Sequence, residues 1–463
     1  MEMLNSNIKY VYFVGIGGIG MSAIARYYHT RKCFVAGYDK TPSPLTQELE
    51  HEEMQISYID EISTIPSEII HSSKEEILIV YTPAIPKDSK ILNYFKDNGY
   101  TMMKRAQVLG LLTNEHFSIC ITGTHGKTTT TSLTAHLFEQ CGLLPTVFAG
   151  GILSNYNTNF LNHPEGNITI SEADEFDRSF LWLKPDMAVI TSVDADHLDI
   201  YGDIDSFADG FKDFSKNVKE NGFLLLSEAA AKTNKIDVPY ETYGFSENCT
   251  HKITFLGVKD HKFEFKIESP ISNINGIYLL PMAGLHNISN ASAAIILAGK
   301  KGCNHNNIAK ALVEFKGVKR RFEWIINNDK ISYIDDYAHH PTEIKAAISA
   351  ARILFPNKKL TVAFQPHLFS RTRDFIDGFA QELSKVDELI LLDIYPAREL
   401  PIEGVSSELL LDKCTVKDKK IVQKEDLANY VAEHKDSLEV LLTLGAGDID
   451  RSVEPIKAIL SNE

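Results

Sequence analysis

Short apolar runs recur along the chain, each closed by glycines or by a polar, helix-forming stretch. Tyr10–Val14, Phe34–Tyr38 and Ile77–Tyr81 are the first three, and runs punctuated this way read as buried strands joined by crossovers, a small parallel sheet over residues 1–112. A second series starts at Ser118–Ile121 and continues at Ile168–Ile170 and Met187–Val193, where the later runs lead directly into acidic clusters. Ligand groups belong at such carboxyl ends of parallel strands. Residues 250–280 alternate instead (Ile253, Phe255, Phe263, Phe265, Ile267), which predicts an antiparallel insert late in a middle domain, 113–318. From Lys319 the rhythm restarts: strand Ile331–Ile334, helix Thr342–Leu354, strand Leu360–Phe364, helix Phe375–Leu383, strands Glu388–Ile394 and Glu439–Leu444. That predicts a third α/β domain over 319–463, and a length of 463 residues agrees with three domains at roughly 150 residues each.

Composition narrows the function without choosing it. The net charge of −15 argues against a nucleic-acid partner, because phosphate contacts need clustered cations. The six cysteines form no C-x-x-C pair and lie far apart, so they are expected to be reduced thiols in a cytoplasmic protein. The uncharged run Val11–Ala25 contains four glycines and no cleavage signal; it reads as a strand and loop, and no membrane insertion is expected.

Two glycine loops carry the candidate chemistry. Gly15, Gly17, Gly18 and Gly20 follow the first strand in a G-x-G-x-x-G pattern, and Asp39 ends the next strand. Amides at a helix start cradle a diphosphate and a carboxylate accepts ribose hydroxyls, which suits NAD, FAD or a UDP-sugar equally. Gly123, Thr124, His125, Gly126, Lys127, Thr128 and Thr129 stand between the strand ending at Ile121 and a helix with apolar Leu133, Leu137, Phe138 and Cys141 on one face. In such a loop Lys127 would neutralise β/γ-phosphates and the Thr128 hydroxyl can ligate Mg²⁺. The loop departs from G-x-x-x-x-G-K-[ST], since Ile121 occupies the place of the first glycine. Glu172 and Asp174 after one strand, and Asp194, Asp196 and His197 after another, are hard ligands suited to Mg²⁺ or Mn²⁺. A solvated acidic loop is the bland alternative for each. His286, Asn287 and Asn290 precede or enter an alanine-rich helix, where they either cap it or bond a nucleobase. Arg320 and Arg321, with the Asp335–Pro341 and His367–Arg371 segments, stand at the junction into the third domain and at two of its strand ends.

The ordered blocks TGTHGKTTT, SEADEFD, DADHLD, GLHNISNA, GVKRRFE, DDYAHHPTEI and FQPHLFSRT resemble those of the Mur ligases of bacterial cell-wall synthesis, over nearly the whole chain. Within that family they are most similar to the members that join L-alanine to UDP-N-acetylmuramate; the murein-peptide recycling ligases share the pattern but look less similar around DADHLD and FQPHLFSRT. The resemblance implies a Rossmann-like N-terminal domain binding the UDP substrate, a central P-loop ATPase domain and a Rossmann-like C-terminal domain that closes over the nucleotide. It implies ATP and Mg²⁺ as cofactors, an acyl-phosphate route and a monomer or weak homodimer. It places Lys127 on phosphate, Thr128, Glu172 and His197 on metal, His286, Asn287 and Asn290 on adenine, and Arg321 on ATP phosphate. Asp335, Asp336, Tyr337, His339, His367 and Arg371 would line the C-terminal side of the reaction site, with Asp335, Asp336 or His339 orienting the amine and taking its proton. Leu368 departs from the family's usual arginine, and Lys212 or Lys216 is a candidate for the lysine carbamylation seen in sister ligases.

Overall fold

The computed structural model describes residues 7–194, 204–233, 236–397 and 399–461. Val11 to Val14 are fully buried, and an unbroken apolar run of this kind is satisfied by a parallel sheet covered on both faces. Strand β1 (Tyr10–Val14) accordingly lies between β2 (Phe34–Tyr38) and β4 (Ile77–Tyr81), with β3 (Gln55–Ser57) and β5 (Thr101–Lys104) outside them. All five strands are parallel. Helix α1 (Ile19–Thr30) leaves the first glycine loop, and α2 (Arg105–Thr113) follows β5.

The middle sheet is centred on the strand that feeds the second glycine loop. β6 (Phe117–Thr122) leads into α3 (Lys127–Gln140), followed by β7 (Thr146–Leu153), β8 (Thr158–Leu161), β9 (Ile168–Glu172), β10 (Met187–Ile190), β11 (Phe223–Ser227) and β12 (Glu241–Gly244). Their order is β12-β11-β10-β6-β9-β7-β8, with only β7 and β8 antiparallel. The alternating stretch supplies β13 (His251–Lys259), β14 (Lys262–Glu268) and β15 (Gly276–Leu280). β13 meets β12 in parallel register, so the insert begins by extending the sheet in the same sense. Helix α4 (Leu285–Lys300) follows.

By packing, the chain groups into two compact units. One runs to Thr254 and takes in Lys266–Tyr278 and Ser289–Phe315; the other holds Phe255–Phe265, Leu279–Ile288 and the chain from Lys316 onward. Residue 112 marks no break in packing because one apolar cluster runs from Ile8 to Ala230. Tyr27 of α1 sets its ring 5.8 Å from Phe148 and 6.3 Å from Phe160, and burying such aromatic side chains contributes about 1.5–3 kcal/mol each. Fully buried Asn159 of β8 donates to the Ile19 carbonyl at 2.6 Å and to Ser22 Oγ at 2.9 Å. Its own oxygen accepts from Arg26.

In the second unit, β16 (Glu323–Asn327), β17 (Ser332–Asp336), helix α5 (Pro341–Leu354), β18 (Leu360–Phe364), helix α6 (Phe369–Leu383), β19 (Glu388–Leu391), β20 (Asp418–Ile421) and β21 (Val440–Leu444) form an α/β layer. The sheet order is β16-β17-β21-β18-β19-β20, with β16 alone antiparallel to its neighbour. The edge strand β20 escapes the hydrophobic pattern because a half-exposed edge carries polar residues, here Asp418, Lys419 and Lys420. Helix α6 starts six residues before the predicted Phe375, where a break in the helical backbone falls. Among the described residues no helix is long and apolar enough to cross a membrane.

Candidate active site

The loop between β6 and α3 is built for close approach to backbone amides. Gly126 precedes the first helical residue at φ +86°, and a Cβ there would stand 2.5 Å from Asn290 Oδ1. Gly123 is at φ +133°, with Thr191 and Ser192 filling the space a side chain would take. His125 N donates to Ser192 Oγ at 2.8 Å and Thr124 N to the Ser192 carbonyl at 3.2 Å, so the segment just after β10 holds the loop in place. Lys127 Nζ donates to the Gly123 carbonyl at 2.6 Å and to the Glu175 carboxylate at 2.8 Å. Burial opposes its charge, but Glu175, Asp174 and Glu172 outweigh that and hold the ammonium pKa above its ordinary value. Burial likewise pushes Glu175 up, against the pull of Lys127.

Thr128 Oγ1 donates to Glu172 Oε2 at 3.3 Å, and Glu172 Oε1 accepts the Gly150 amide at 2.8 Å. A hydroxyl and a carboxylate side by side at a phosphate loop are hard oxygen donors, which fit Mg²⁺ sharing its shell with phosphate oxygens and water. Among the described residues no three His, Cys, Asp or Glu side chains converge on one point. His197 and Asp196 lie outside the described residues. Asp194 stands 3.7 Å from His125 Nε2.

The acidic segment after β9 divides its duties, which the sequence does not reveal. Glu172 and Glu175 face the phosphate loop, whereas Asp174 pairs with Arg105 at 3.3 Å and Asp177 with Lys104 at 3.2 Å. The Asp174 carboxylate is drawn to a guanidinium rather than to the phosphate loop. Glu175 and Arg105 are functional candidates that sequence reasoning misses. Glu175 shares the visible acidic run, but nothing marks Arg105.

In the first glycine loop Gly15 takes φ +95° and a Cβ on it would meet Thr82 at 2.9 Å. Gly18 caps α1, and at Gly17 and Gly20 a side chain would run into Thr46 and Arg105 respectively. Asp39 Oδ2 accepts the Gly17 amide at 2.8 Å, so part of that carboxylate shapes the loop. On α4, Asn287 Nδ2 donates back to the Ala283 carbonyl at 2.7 Å, and Asn290 Oδ1 accepts from Thr130 Oγ1 at 3.2 Å. Both lie inside the helix, so neither is its N-cap; Asn290 braces the phosphate loop. His286 packs against Gly284 just before the helix.

The second unit gathers Tyr337, His339, His367 and Arg371. The His339 ring lies 5.2 Å from that of Tyr337 and 6.0 Å from that of His367, and Arg371 Nη1 is 3.2 Å from His367 Nδ1. Arg321 sits 5.1 Å over the Tyr337 ring. Burial lowers the His339 pKa against the pull of Glu343, and it takes His367 down to about 4, helped by His339 and Arg371. Both shifts favour the neutral imidazole. Asp336 accepts the Phe322 and Ala338 amides, at 2.6 and 2.7 Å, and burial raises it to about 7 in spite of Arg321. Asp335, 1% exposed, faces Arg320 at 3.0 Å and Thr443 at 2.6 Å and so braces β17 against β21. Leu368 stands at φ +71° ahead of α6, and Arg371 and Arg373 follow it on the helix, Arg373 paired with Asp374 at 2.7 Å. Lys212 is paired with Asp237 at 2.7 Å and Lys216 with Asp213 at 2.8 Å.

Comparison with known proteins agrees along the whole chain. Models of the Mur ligase family match in three parts: the catalytic domain over residues 10–117, the middle domain over 121–298 and the glutamate ligase domain over 320–447. A UDP-N-acetylmuramate–L-alanine ligase of Cytophaga hutchinsonii is 46% identical over 98% of this chain and 97% of its own length. One of Christiangramia forsetii is 44% identical over all of both chains. The solved UDP-N-acetylmuramate-alanine ligase of Thermotoga maritima superposes with a TM-score of 0.81 at 26% identity, over 96% of this chain and 98% of the other.

Proposed function

Because this chain belongs to the Mur ligase family, we propose that it joins L-alanine to the carboxylate of UDP-N-acetylmuramate, giving UDP-N-acetylmuramoyl-L-alanine, ADP and phosphate in peptidoglycan precursor synthesis. The carrying observation is a phosphate loop with Lys127 and Thr128 at the mouth of α3, in a chain similar end to end to ligases of that name.

A carboxylate is a poor acyl donor because its leaving group would be oxide. Transfer of the ATP γ-phosphoryl group to a carboxylate oxygen releases ADP and gives an acyl phosphate, whose leaving group is phosphate. Amides at the start of α3 bind the phosphates with the helix dipole behind them. Lys127 leaves Glu175 to balance the charge on the transferring group. Thr128 and Glu172 would hold Mg²⁺, which when bound supplies further charge neutralisation at the same phosphates. The neutral amine of alanine then attacks the acyl carbon, the C–O bond to phosphate breaks, and the amine proton goes to a base. Asp336, poised near neutrality, suits that task, and neutral His339 is its alternative. Arg321 and Arg371 are the cations of this cluster that suit an anionic group. The first glycine loop, with Asp39, is the place for the UDP moiety.

Incubating the protein with UDP-N-acetylmuramate, ATP, Mg²⁺ and one amino acid at a time, with product masses read, tests the reading. The alanine adduct is expected to dominate. No turnover, or a product only with a preformed peptide, overturns it.

A further inference from the structure

The two glycine loops are joined by a short chain of charges. Arg105 lies against the first turn of α1: a Cβ on Gly20 would be 2.6 Å from its Nη1. Its Nη2 reaches Asp174 at 3.3 Å, and the next residue, Glu175, holds Lys127 at 2.8 Å. Asp174 and Glu175 are tied into one rigid turn, with Phe180 N donating to the Asp174 carbonyl at 2.9 Å and Arg178 N to the Glu175 carbonyl at 3.0 Å. Asp177 and Arg178 are both left-handed, at φ 50° and 53°. Two consecutive non-glycine residues in that region are strained and persist only where the surroundings impose them. Here the imposing contacts are the Lys104 and Arg105 pairs on one side and the phosphate loop on the other.

We propose that Arg105 is a positioning residue that couples the two sites: a diphosphate on the first glycine loop draws Arg105, and with it the Asp174–Glu175 turn, so that Lys127 is released from Glu175 toward the ATP phosphates. The inference rests on the assignment of the UDP substrate to the first loop and ATP to the second. Its physical content is a competition. Arg105 keeps hold of Asp174 as it turns toward the incoming diphosphate, and Lys127 is shared between Glu175 and the γ-phosphate. Each ligand relieves the constraint the other must break, so their affinities rise together and by the same factor.

Calorimetric titration of the full chain with a non-hydrolysable ATP analogue, with and without saturating UDP-N-acetylmuramate, measures the coupling directly. In the unmodified protein the sugar nucleotide is expected to lower the analogue's Kd at least fivefold, and the reverse titration to give the same factor. Arg105→Ala and, from the other side, Asp174→Asn should still bind each ligand alone, with the factor falling within twofold of one; Arg105→Lys should restore part of it. A purely bracing role would lower the Tm of these variants and leave the factor unchanged, and that result overturns the proposal. A factor within twofold of one in the unmodified protein also overturns it. Failure of UDP-N-acetylmuramate to bind the unmodified protein at all overturns the substrate assignment, and the coupling with it.

Discussion

Lys127 has two partners in view, the buried carboxylate of Glu175 and the phosphates its loop is shaped for, and substitution separates them. Lys127→Ala should lose at least tenfold in kcat, about 1.4 kcal/mol in the barrier. It should also destabilise the fold, because removing one member of a buried ion pair costs about 3–5 kcal/mol. Adding Glu175→Gln should recover the urea midpoint without recovering turnover. Recovery of both would reduce Lys127 to a structural partner. Asp336 makes a prediction of opposite character. Burial holds its carboxyl protonated up to about pH 7, whereas an unfolded aspartate ionises near 3.9. The stability it contributes is therefore complete below that lower pKa and is lost as pH rises through about 7. Activity should run the other way, kcat/KM for alanine rising through pH 7 as the base form appears. In Asp336→Asn both slopes should vanish; a rate profile that keeps its limb near pH 7 would assign the base elsewhere, with His339 next in line.

At the level of elements, α1 belongs as much to the middle sheet as to its own. Asn159 satisfies the Ile19 carbonyl and Arg26 in a buried layer, and unpaired buried polar groups cost about 1–3 kcal/mol each. Asn159→Ala should lower guanidinium stability by about 2–4 kcal/mol and speed amide exchange in the first turns of α1. A loss under half a kcal/mol would show that water replaces the amide without penalty. A fragment of residues 1–112 is for the same reason a poor vehicle for binding studies, since it would expose Tyr27 and the Arg26 layer. The strap from Glu172 to Trp182 is the second element of this kind: β9 delivers Glu172 to the phosphate loop, and the left-handed pair at 177–178 turns the chain back onto α2, whose Gly110 lies against the Trp182 carbonyl.

For the whole molecule, the order of chemical steps is the open test. With ATP, Mg²⁺ and UDP-N-acetylmuramate but no alanine, the protein should form up to one equivalent of ADP and then stall. Added alanine should discharge the intermediate at least as fast as steady-state turnover. Substrate labelled with ¹⁸O in its carboxylate should transfer one label to the released phosphate, because that oxygen leaves with the phosphoryl group. Unlabelled phosphate, with ADP formed only when alanine is present, would exclude the acyl-phosphate route.

The strand runs, both glycine loops and the α/β class were legible in the sequence because each depends on residues close together in the chain: an apolar run buries itself wherever it pairs, and glycines tolerate a loop's backbone whatever lies beyond it. Lys127 and Thr128 could be named as phosphate-loop candidates for that reason. What the sequence left open were the partners of charged groups. Asp174 and Glu175 are adjacent, yet one faces Arg105, 69 residues away, and the other Lys127, 48 residues away. Asp335 and Asp336 look equivalent, but alternation along β17 sends one to Arg320 and Thr443 and leaves the other on the Phe322 and Ala338 amides. Alternation predicts that neighbouring carboxylates diverge; only tertiary packing decides which cation or amide meets each, and so which is left to titrate near neutrality.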